Sequence, residues 1–314
     1  MNRSVEEIRE AAAALSGIAV RTPLIEAPGL SRTLGVPVWL KCEQWQPIGA
    51  FKVRGAWTAV TRIPEPVRAA GVIAHSSGNH GRAVAWVARR LGLRAVIVMN
   101  DNAPPVKVEA VRAEGAEVVL VDRYLRAATA ESLAAREGLA MVPPFEHPDV
   151  ILGQATCALE ILEREPGLTM LLSPVGGGGL LAGCCTAAIA LDHPVRLIGV
   201  EPEGAAKLSA ALAAGKPVPL PNTASIADGL LPTALGNIPW LTIGQRVRDG
   251  LRITDEAIAQ AVRYLFHDMG LRIEPSGAVT VAALLTGAVR PDGPVAAILS
   301  GGNVDPDLFA KLTA

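Results

Sequence analysis

Apolar residues along the chain form two alternating patterns. Short runs rich in Val, Ile and Leu predict β-strands at Val36–Cys42, Gly71–His75, Arg94–Met99, Glu117–Val121, Met170–Val175, Leu197–Glu201 and Val295–Leu299. Longer Ala- and Leu-rich segments of helical period predict helices at Gly81–Leu91, Pro105–Glu114, Ile151–Glu163, Gly179–Leu191, Asp255–Asp268 and Gly277–Leu285. This alternation favours an α/β architecture with mostly parallel sheet.

The composition and the N-terminal pattern predict a soluble cytoplasmic protein that binds neither nucleic acid nor membrane. The N-terminal segment MNRSVEEIREAAAALSG has the pattern of an acidic amphipathic helix and not of a signal peptide, and no apolar run is long enough to cross a bilayer. The net charge is −1, without a basic stripe, so neither nucleic acid nor membrane is an expected partner. Cys42, Cys157, Cys184 and Cys185 lack metal-ligand spacing and are predicted to be buried, reduced thiols.

Polar and glycine-rich clusters follow three of the predicted strands, at Ser76–Gly81, Gly176–Gly179 and Ser300–Asn303. In open α/β sheets, ligands bind where strands end and helices begin. The three clusters therefore predict one shared site.

The segment SPVGGGGLLAG at Ser173–Gly183 joins a predicted strand to a predicted helix through four glycines. Backbone N–H groups of such a loop can close around a phosphate, and the helix dipole adds to its binding. The same segment fits a GxGxxA dinucleotide pattern from Gly177 to Ala182, with Glu201 near the expected ribose-binding acid. A tight turn without a ligand is the third possibility. This segment alone does not separate a pyridoxal phosphate site from an NAD site.

Two further segments carry groups suited to catalysis. Lys52 stands between Phe51 and Val53 in QPIGAFKVRGA, an apolar setting that would lower the lysine pKa as Schiff-base formation requires, although a surface lysine is the simpler interpretation of Lys52 alone. The segment HSSGNHG places hydroxyls, an amide and an imidazole at a strand-to-helix turn. Such a turn could hold a substrate carboxylate or merely cap the helix.

Five motifs, AFKVRGA, SSGNHG, PVGGGGLLAG, EPSGA and SGGN, make the chain resemble the serine/threonine dehydratase and serine racemase family of fold-type II pyridoxal phosphate (PLP) enzymes. The resemblance covers nearly the whole chain. It implies a tryptophan synthase β-like α/β fold with two open parallel-sheet domains and pyridoxal 5′-phosphate between them. The large domain would comprise residues 1–64 and 148–314, and the small inserted domain residues 65–147. A homodimer is usual for the family.

The resemblance also implies roles for individual residues. Lys52 would be the Schiff-base lysine, with Phe51 packing beside the ring, Asn79 bonding the ring hydroxyl and Ser300 facing the ring nitrogen. The phosphate would be held by Gly176, Gly177, Gly178, Gly179 and Leu180. The substrate carboxylate would be positioned by Ser76, Ser77, Asn79 and His80. Ser77 also matches the opposite-face acid/base of the racemases.

The implied activity is that of a PLP-dependent ammonia-lyase in amino-acid catabolism. Lys52 would take the α-proton from L-threonine or L-serine, and loss of the β-hydroxyl would lead to a 2-keto acid and ammonia. No room is expected after Ala314 for the regulatory domain of longer biosynthetic enzymes. Alternatives are dehydration of 3-hydroxyaspartate, phenylserine or a hydroxyectoine-derived compound, racemisation, β-replacement and, more remotely, NAD(P)-dependent oxidoreduction.

The sequence departs from the family pattern at a cation site. Relatives bind Mg²⁺ or Ca²⁺ through a Glu, a backbone carbonyl and a second acid. Glu201 and Ala205 match the first two, but Lys207 stands where the second acid would be. Because a hard cation needs oxygen ligands and negative charge, we predict that no metal binds and that the Lys207 ammonium pairs with Glu201 instead.

Overall fold

A computed structural model describes residues 3–314, which form two β-sheets covered by helices. The strands are β1 (Leu24–Glu26), β2 (Val38–Cys42), β3 (Val72–His75), β4 (Ala95–Asn100), β5 (Glu117–Val121), β6 (Ala140–Met141), β7 (Met170–Pro174), β8 (Arg196–Pro202), β9 (Asp249–Ile253) and β10 (Val295–Leu299). The α-helices are α1 (Val5–Ala14), α2 (Pro28–Leu34), α3 (Lys52–Arg62), α4 (Glu65–Arg68), α5 (Asn79–Arg90), α6 (Pro105–Arg112), α7 (Arg126–Glu137), α8 (Pro148–Arg164), α9 (Gly179–Ala190), α10 (Lys207–Ala214), α11 (Asn237–Arg246), α12 (Asp255–His267), α13 (Pro275–Leu285) and α14 (Pro306–Thr313). Short 3-10 helices lie at Glu43–Trp45, Glu203–Ala205 and Asp228–Leu230.

The larger sheet has the order β1-β2-β10-β7-β8-β9, and only its β1–β2 pair is antiparallel. The smaller sheet has the order β5-β4-β3-β6 and is parallel throughout. Helices connect successive parallel strands, which is how such sheets bury both faces. The α/β class with parallel sheet is therefore confirmed.

Glycines allow the helices that carry the site to cross closely. A Cβ on Gly153 of α8 would lie 2.4 Å from the Arg54 carbonyl of α3. On α9, a Cβ at Gly183 would lie 2.7 Å from the Ala155 nitrogen of α8. Because no side chain fits at either position, α8 is held tightly between α3, which begins at Lys52, and α9, which follows the glycine loop.

Most of the predicted elements are present, with small shifts at their ends. All seven predicted strands exist, and the helix expected from Gly81 begins earlier, at Asn79. Strands β1, β6 and β9 were not predicted; β9, Asp249–Ile253, is a partly exposed edge strand with only two large apolar residues. The four cysteines are buried and unpaired, as predicted.

The smaller sheet uses only strands that lie between residues 72 and 141. All of them fall inside the predicted insertion at 65–147, whose exact boundaries stay a prediction. Within residues 3–314, no helix combines the length and the apolar composition that a bilayer span requires.

Candidate active site

The chain segments around Lys52 and Ser300 pair with each other through their backbones. Phe51 N donates to Ser300 O at 3.0 Å, and Gly302 N donates to Gly49 O at 2.9 Å. Gly49 has a φ of +72°, a left-handed conformation that favours glycine. This pairing brings the lysine motif next to the SGGN motif, which is one of the three clusters predicted to share a site.

Lys52 is the first residue of α3, and its Nζ donates a hydrogen bond to the Pro144 carbonyl at 2.7 Å. Burial lowers its pKa to about 8. The Phe51 ring lies beside it, with its centroid 5.1 Å from Nζ. An amine with this pKa is partly neutral near physiological pH and can therefore act as a nucleophile and as a base.

The glycine loop joins the end of β7 to the start of α9. Gly178 has a φ of +93°, and Gly236 N donates to Gly177 O at 3.0 Å. A Cβ on Gly177 would lie 2.2 Å from the Phe145 ring, so a larger residue would displace the ring or the loop. The loop thus brings bare backbone to the N-terminus of a twelve-residue helix, an arrangement that suits a phosphate.

The Asn79 side-chain amide is fixed at both ends. Its Nδ2 donates to Glu274 Oε1 at 2.7 Å, and its Oδ1 accepts from Asn303 Nδ2 at 2.7 Å. Burial, reinforced by the charge of Asp228, raises the Glu274 pKa to about 7. One N–H of Asn79 remains for a ligand acceptor. Glu274 lies in the EPSGA motif and Asn303 in the SGGN motif, but no role was predicted for either residue.

Ser300 is buried at the end of β10, and its Oγ donates a long hydrogen bond of 3.5 Å to Ser276 O. Ser276 Oγ in turn accepts from Gly229 N at 2.9 Å. Ser300 therefore offers a neutral hydroxyl next to the lysine segment. Its contact with a ring nitrogen stays a prediction.

The Ser77 hydroxyl is already engaged on the side of the smaller sheet. Its Oγ accepts from Asn100 N at 2.9 Å and from Arg126 Nη1 at 3.2 Å, and it donates to Asn100 Oδ1. Ser76 Oγ accepts from Gly78 N at 3.3 Å. The acid/base role of Ser77 and the carboxylate role of both serines stay predictions.

The His80 side chain is buried and bonds through one ring nitrogen. Its Nε2 lies 2.8 Å from the Val142 carbonyl, which can only accept, so Nε2 carries the proton. Burial lowers the His80 pKa to about 3 and keeps the ring neutral. The buried Nδ1 is then an acceptor, and it has no partner within residues 3–314. The imidazole therefore presents an acceptor, but the His80 backbone N–H lies in the first turn of α5, so the carboxylate role of His80 stays a prediction.

These groups fit a phosphorylated aldehyde cofactor. Lys52 supplies an amine of lowered pKa, the glycine loop brings backbone to the N-terminus of α9, and Asn79 keeps a free N–H. The buried His80 Nδ1 has no hydrogen-bond partner within residues 3–314, which is compatible with a ligand beside it. The fold and the site define an enzyme that attaches such a cofactor through a lysine.

Comparison with known proteins agrees with this class. Residues 15–301 match the family described as "Pyridoxal-phosphate dependent enzyme", and the chain belongs to that family. It is 39% identical over 312 residues to an L-threo-3-hydroxyaspartate ammonia-lyase of a Pseudomonas species, covering 98% of both chains. It is 42% identical to an L-threonine ammonia-lyase of Geobacter sulfurreducens, covering 91% of this chain and 72% of that one.

Solved structures show the same fold. The structure of maize serine racemase superposes with a TM-score of 0.94 at 34% identity, covering 99% of this chain and 97% of that one. The protein is thus a fold-type II, PLP-dependent enzyme of the ammonia-lyase type, whose chemistry is β-elimination from hydroxy-amino acids. The NAD(P) alternative is wrong. Both Glu201 oxygens accept hydrogen bonds from Leu208 and Ser209 and do not face a ribose.

The Lys207 ammonium group occupies the position that corresponds to the cation site of the family. Lys207 Nζ donates to Ala205 O at 2.6 Å and to Leu230 O at 2.9 Å, and it lies 3.9 Å from Glu201 Oε2. Burial raises the Glu201 pKa and lowers that of Lys207 to about 8. No group of three or more His, Cys, Asp or Glu side chains suited to a metal occurs in the part of the chain that the structure describes. The residues present do not fit a hard divalent cation.

Proposed function

We propose that the protein deaminates a small hydroxy-amino acid, such as L-threonine or L-serine, with Lys52 as both the cofactor attachment point and the general base. The partly buried Lys52 amine carries this proposal, because its pKa of about 8 suits both tasks. When bound, pyridoxal phosphate supplies an aldehyde that joins amines and a ring that withdraws electrons from the substrate Cα.

The surrounding residues would act on binding and orientation. The Pro144 carbonyl directs the Lys52 amine from one side. The backbone of Gly176–Leu180 would bind the phosphate, and Asn79, fixed by Glu274 and Asn303, would present one N–H to the ring hydroxyl. Ser300 would place a neutral hydroxyl, rather than a charged group, toward the ring nitrogen. Lys52, once free, would take the α-proton, after which the β-hydroxyl leaves.

The test is reconstitution with pyridoxal phosphate, followed by keto-acid and ammonia assays on a panel of hydroxy-amino acids. Wild type should turn yellow, and borohydride reduction should label the peptide that contains Lys52. Lys52→Ala should lose the label and at least about 10³-fold in activity, while the exposed control Lys216→Ala keeps both. Colour and label retained in Lys52→Ala, or no keto acid from any substrate, would refute the proposal. Chirality of the remaining substrate reports racemisation by Ser77.

We also propose a cytoplasmic homodimer, which is the usual assembly of the family that the chain resembles. Four buried, unpaired cysteines agree with a reducing compartment. Light scattering on the holoenzyme tests the assembly, and a monomer at micromolar concentration would contradict it.

A further inference from the structure

Lys207 is among the largest completely buried side chains, as is Arg54. Arg54 is held by a carboxylate, that of Glu43, at 2.8 Å. Lys207 Nζ donates instead to two backbone carbonyls, Ala205 O at 2.6 Å and Leu230 O at 2.9 Å, and its carboxylate partner is 3.9 Å away. Because a buried ammonium is costly unless it is hydrogen-bonded, these two carbonyls are its main partners.

The Leu230 carbonyl belongs to the long connection between α10 and α11. Residues 215–236, which the structure describes throughout, contain no helix or strand apart from one short 3-10 helix. A connection of this length has few backbone hydrogen bonds of its own, so side chains must fix its path. Leu230 is buried, and the next carbonyl, of Leu231, accepts from Thr223 Oγ1 at 2.8 Å. The Lys207 ammonium and the Thr223 hydroxyl therefore fix two successive carbonyls of the connection.

The last part of this connection, residues 228–236, packs against the glycine loop, and we call it the flanking segment. Gly236 N donates to Gly177 O at 3.0 Å. A Cβ on Gly176 would lie 3.1 Å from the Gly229 carbonyl oxygen. The loop has no side chains of its own to hold its shape, so its conformation depends on this neighbour. A shift of the flanking segment would therefore move the loop.

We propose that Lys207 is a positioning residue for the cofactor phosphate, because its ammonium holds the flanking segment against the glycine loop and so keeps the loop preformed. A preformed site loses less conformational entropy when its ligand binds. The inference rests on the proposed function in one respect, namely that Gly176–Leu180 binds the phosphate. It assigns Lys207 a task beyond occupying the position of the family cation.

The experiment compares pyridoxal phosphate with pyridoxal, which has the same aldehyde and ring but no phosphate. Both are titrated into cofactor-free protein, and the absorbance of the coloured complex gives each affinity. Lys207→Met should weaken pyridoxal phosphate by about ten-fold or more and pyridoxal by less than about three-fold. The matched control is Lys216→Met, at an exposed position of the same connection, which should change neither affinity. Equal losses for the two ligands would overturn the inference, since the damage would then be general.

A second variant carries the test if Lys207→Met does not fold. Glu201→Gln/Lys207→Met has no unpaired buried charge, but the Ala205 and Leu230 carbonyls still lack the ammonium. The selective loss of affinity for pyridoxal phosphate should therefore persist in the double variant. Wild-type affinity for pyridoxal phosphate in the folded double variant would contradict the proposed role of Lys207.

Hydrogen exchange of the wild type requires no substitution. Pyridoxal phosphate should slow amide exchange in residues 228–236 more than pyridoxal does, because the phosphate fixes the loop against which this segment packs. Equal protection by the two ligands would show that the flanking segment is not coupled to the phosphate and would also overturn the inference.

Gly177→Ala distinguishes a failure of this inference from a failure of the proposed function. If Gly177→Ala selectively weakens pyridoxal phosphate and the Lys207 variants do not, only the inference fails. If Gly177→Ala weakens both ligands equally, the loop does not bind the phosphate, and that part of the proposed function fails together with the inference. Absence of keto acid from every substrate would instead refute the proposed activity, and the comparison of the two ligands would still decide the role of Lys207.

Discussion

Lys207 and Glu201 face each other in the interior, with Nζ and Oε2 3.9 Å apart and neither side chain exposed to solvent. The ammonium group also joins the carbonyls of Ala205 and Leu230, which belong to two separate 3-10 helices. The Lys207 side chain thus supplies the positive charge that holds these two 3-10 helices together.

The first prediction concerns metal removal. Because the Lys207 ammonium lies against the Ala205 carbonyl and near the Glu201 carboxylate, EDTA treatment of the holoenzyme should change neither its melting temperature nor its keto-acid formation. Added Mg²⁺ or Ca²⁺ should also have no effect. A loss of activity on chelation that Mg²⁺ restores would contradict the prediction.

The second prediction concerns Lys207 itself. Lys207→Met would leave Glu201 buried without a cation and two carbonyls without a donor, so we expect the free energy of unfolding to fall by about 3–5 kcal/mol. Denaturant unfolding measures this. The double variant Glu201→Gln/Lys207→Met should recover part of the loss, because no unpaired charge remains. Lys216→Met, at an exposed position, is the control and should change stability by less than about 0.5 kcal/mol.

The third prediction is a pH dependence in the cofactor-free protein. Burial lowers the Lys52 pKa from 10.5 to about 8, so the folded state disfavours the charged amine. Below pH 8 this penalty is fully present, and it disappears as pH rises to 10.5, because the unfolded chain then binds more protons than the folded one. Lys52→Met should therefore be more stable than wild type by about 1–3 kcal/mol at pH 7. The difference should shrink toward pH 10.5, and a constant difference across this range would contradict the assignment.

The fourth prediction concerns the glycine loop. Gly177→Ala would put a methyl group 2.2 Å from the Phe145 ring, so the loop or the ring must move. We expect weaker cofactor binding, by about ten-fold or more for a loss of at least ~1.4 kcal/mol, when pyridoxal phosphate is titrated into the cofactor-free variant. Gly167→Ala, where a Cβ would meet nothing within 4 Å, is the matched control. Equal affinities of the two variants would show that the loop does not contact the phosphate.

The fifth prediction concerns the buried ion pairs of Arg54. Arg54, two residues after Lys52, contacts Glu43 at 2.8 Å and Glu160 at 2.7 Å, and its side chain is 1% exposed. Arg54→Met would leave both acids short of a partner and should cost about 3–5 kcal/mol in the free energy of unfolding. Arg62→Met on the same helix is the control. Arg62 is 37% exposed and lies 3.5 Å from Asp149, so its loss should cost less than about 1 kcal/mol. Equal losses of unfolding free energy in the two variants would indicate that burial does not determine how much these ion pairs contribute to stability.

Sequence reasoning predicted the part of the site that local patterns encode. The Ser76–Gly81, Gly176–Gly179 and Ser300–Asn303 segments each follow a strand in a parallel architecture, so a shared site was predicted from the rule for strand ends. The role of Lys52 came from the family resemblance. The central strands were predicted because they are apolar on both faces. Edge strand β9 was not predicted, because a half-exposed strand of five residues lacks that pattern.

The rest of the site depends on contacts that no local pattern announces. Glu274 and Asn79 are 195 residues apart, and the Pro144 carbonyl, which binds Lys52 Nζ, is backbone with no side-chain signature. Arg126 stands at the start of a polar helix and has the local sequence of an ordinary surface arginine. His80 was assigned to the substrate carboxylate by the family resemblance. Only the Val142 carbonyl opposite Nε2 shows where its proton goes.

The backbone pairing of Gly49 and Phe51 with Ser300 and Gly302 also constrains the order in which the enzyme is made. Asn303 holds the Ile48 carbonyl from 255 residues further along the chain. Until Asn303 has been synthesised, the nascent chain contains Lys52 but lacks the Ser300–Asn303 segment that pairs with the lysine motif. The complete site can therefore form only after both sheets have been translated.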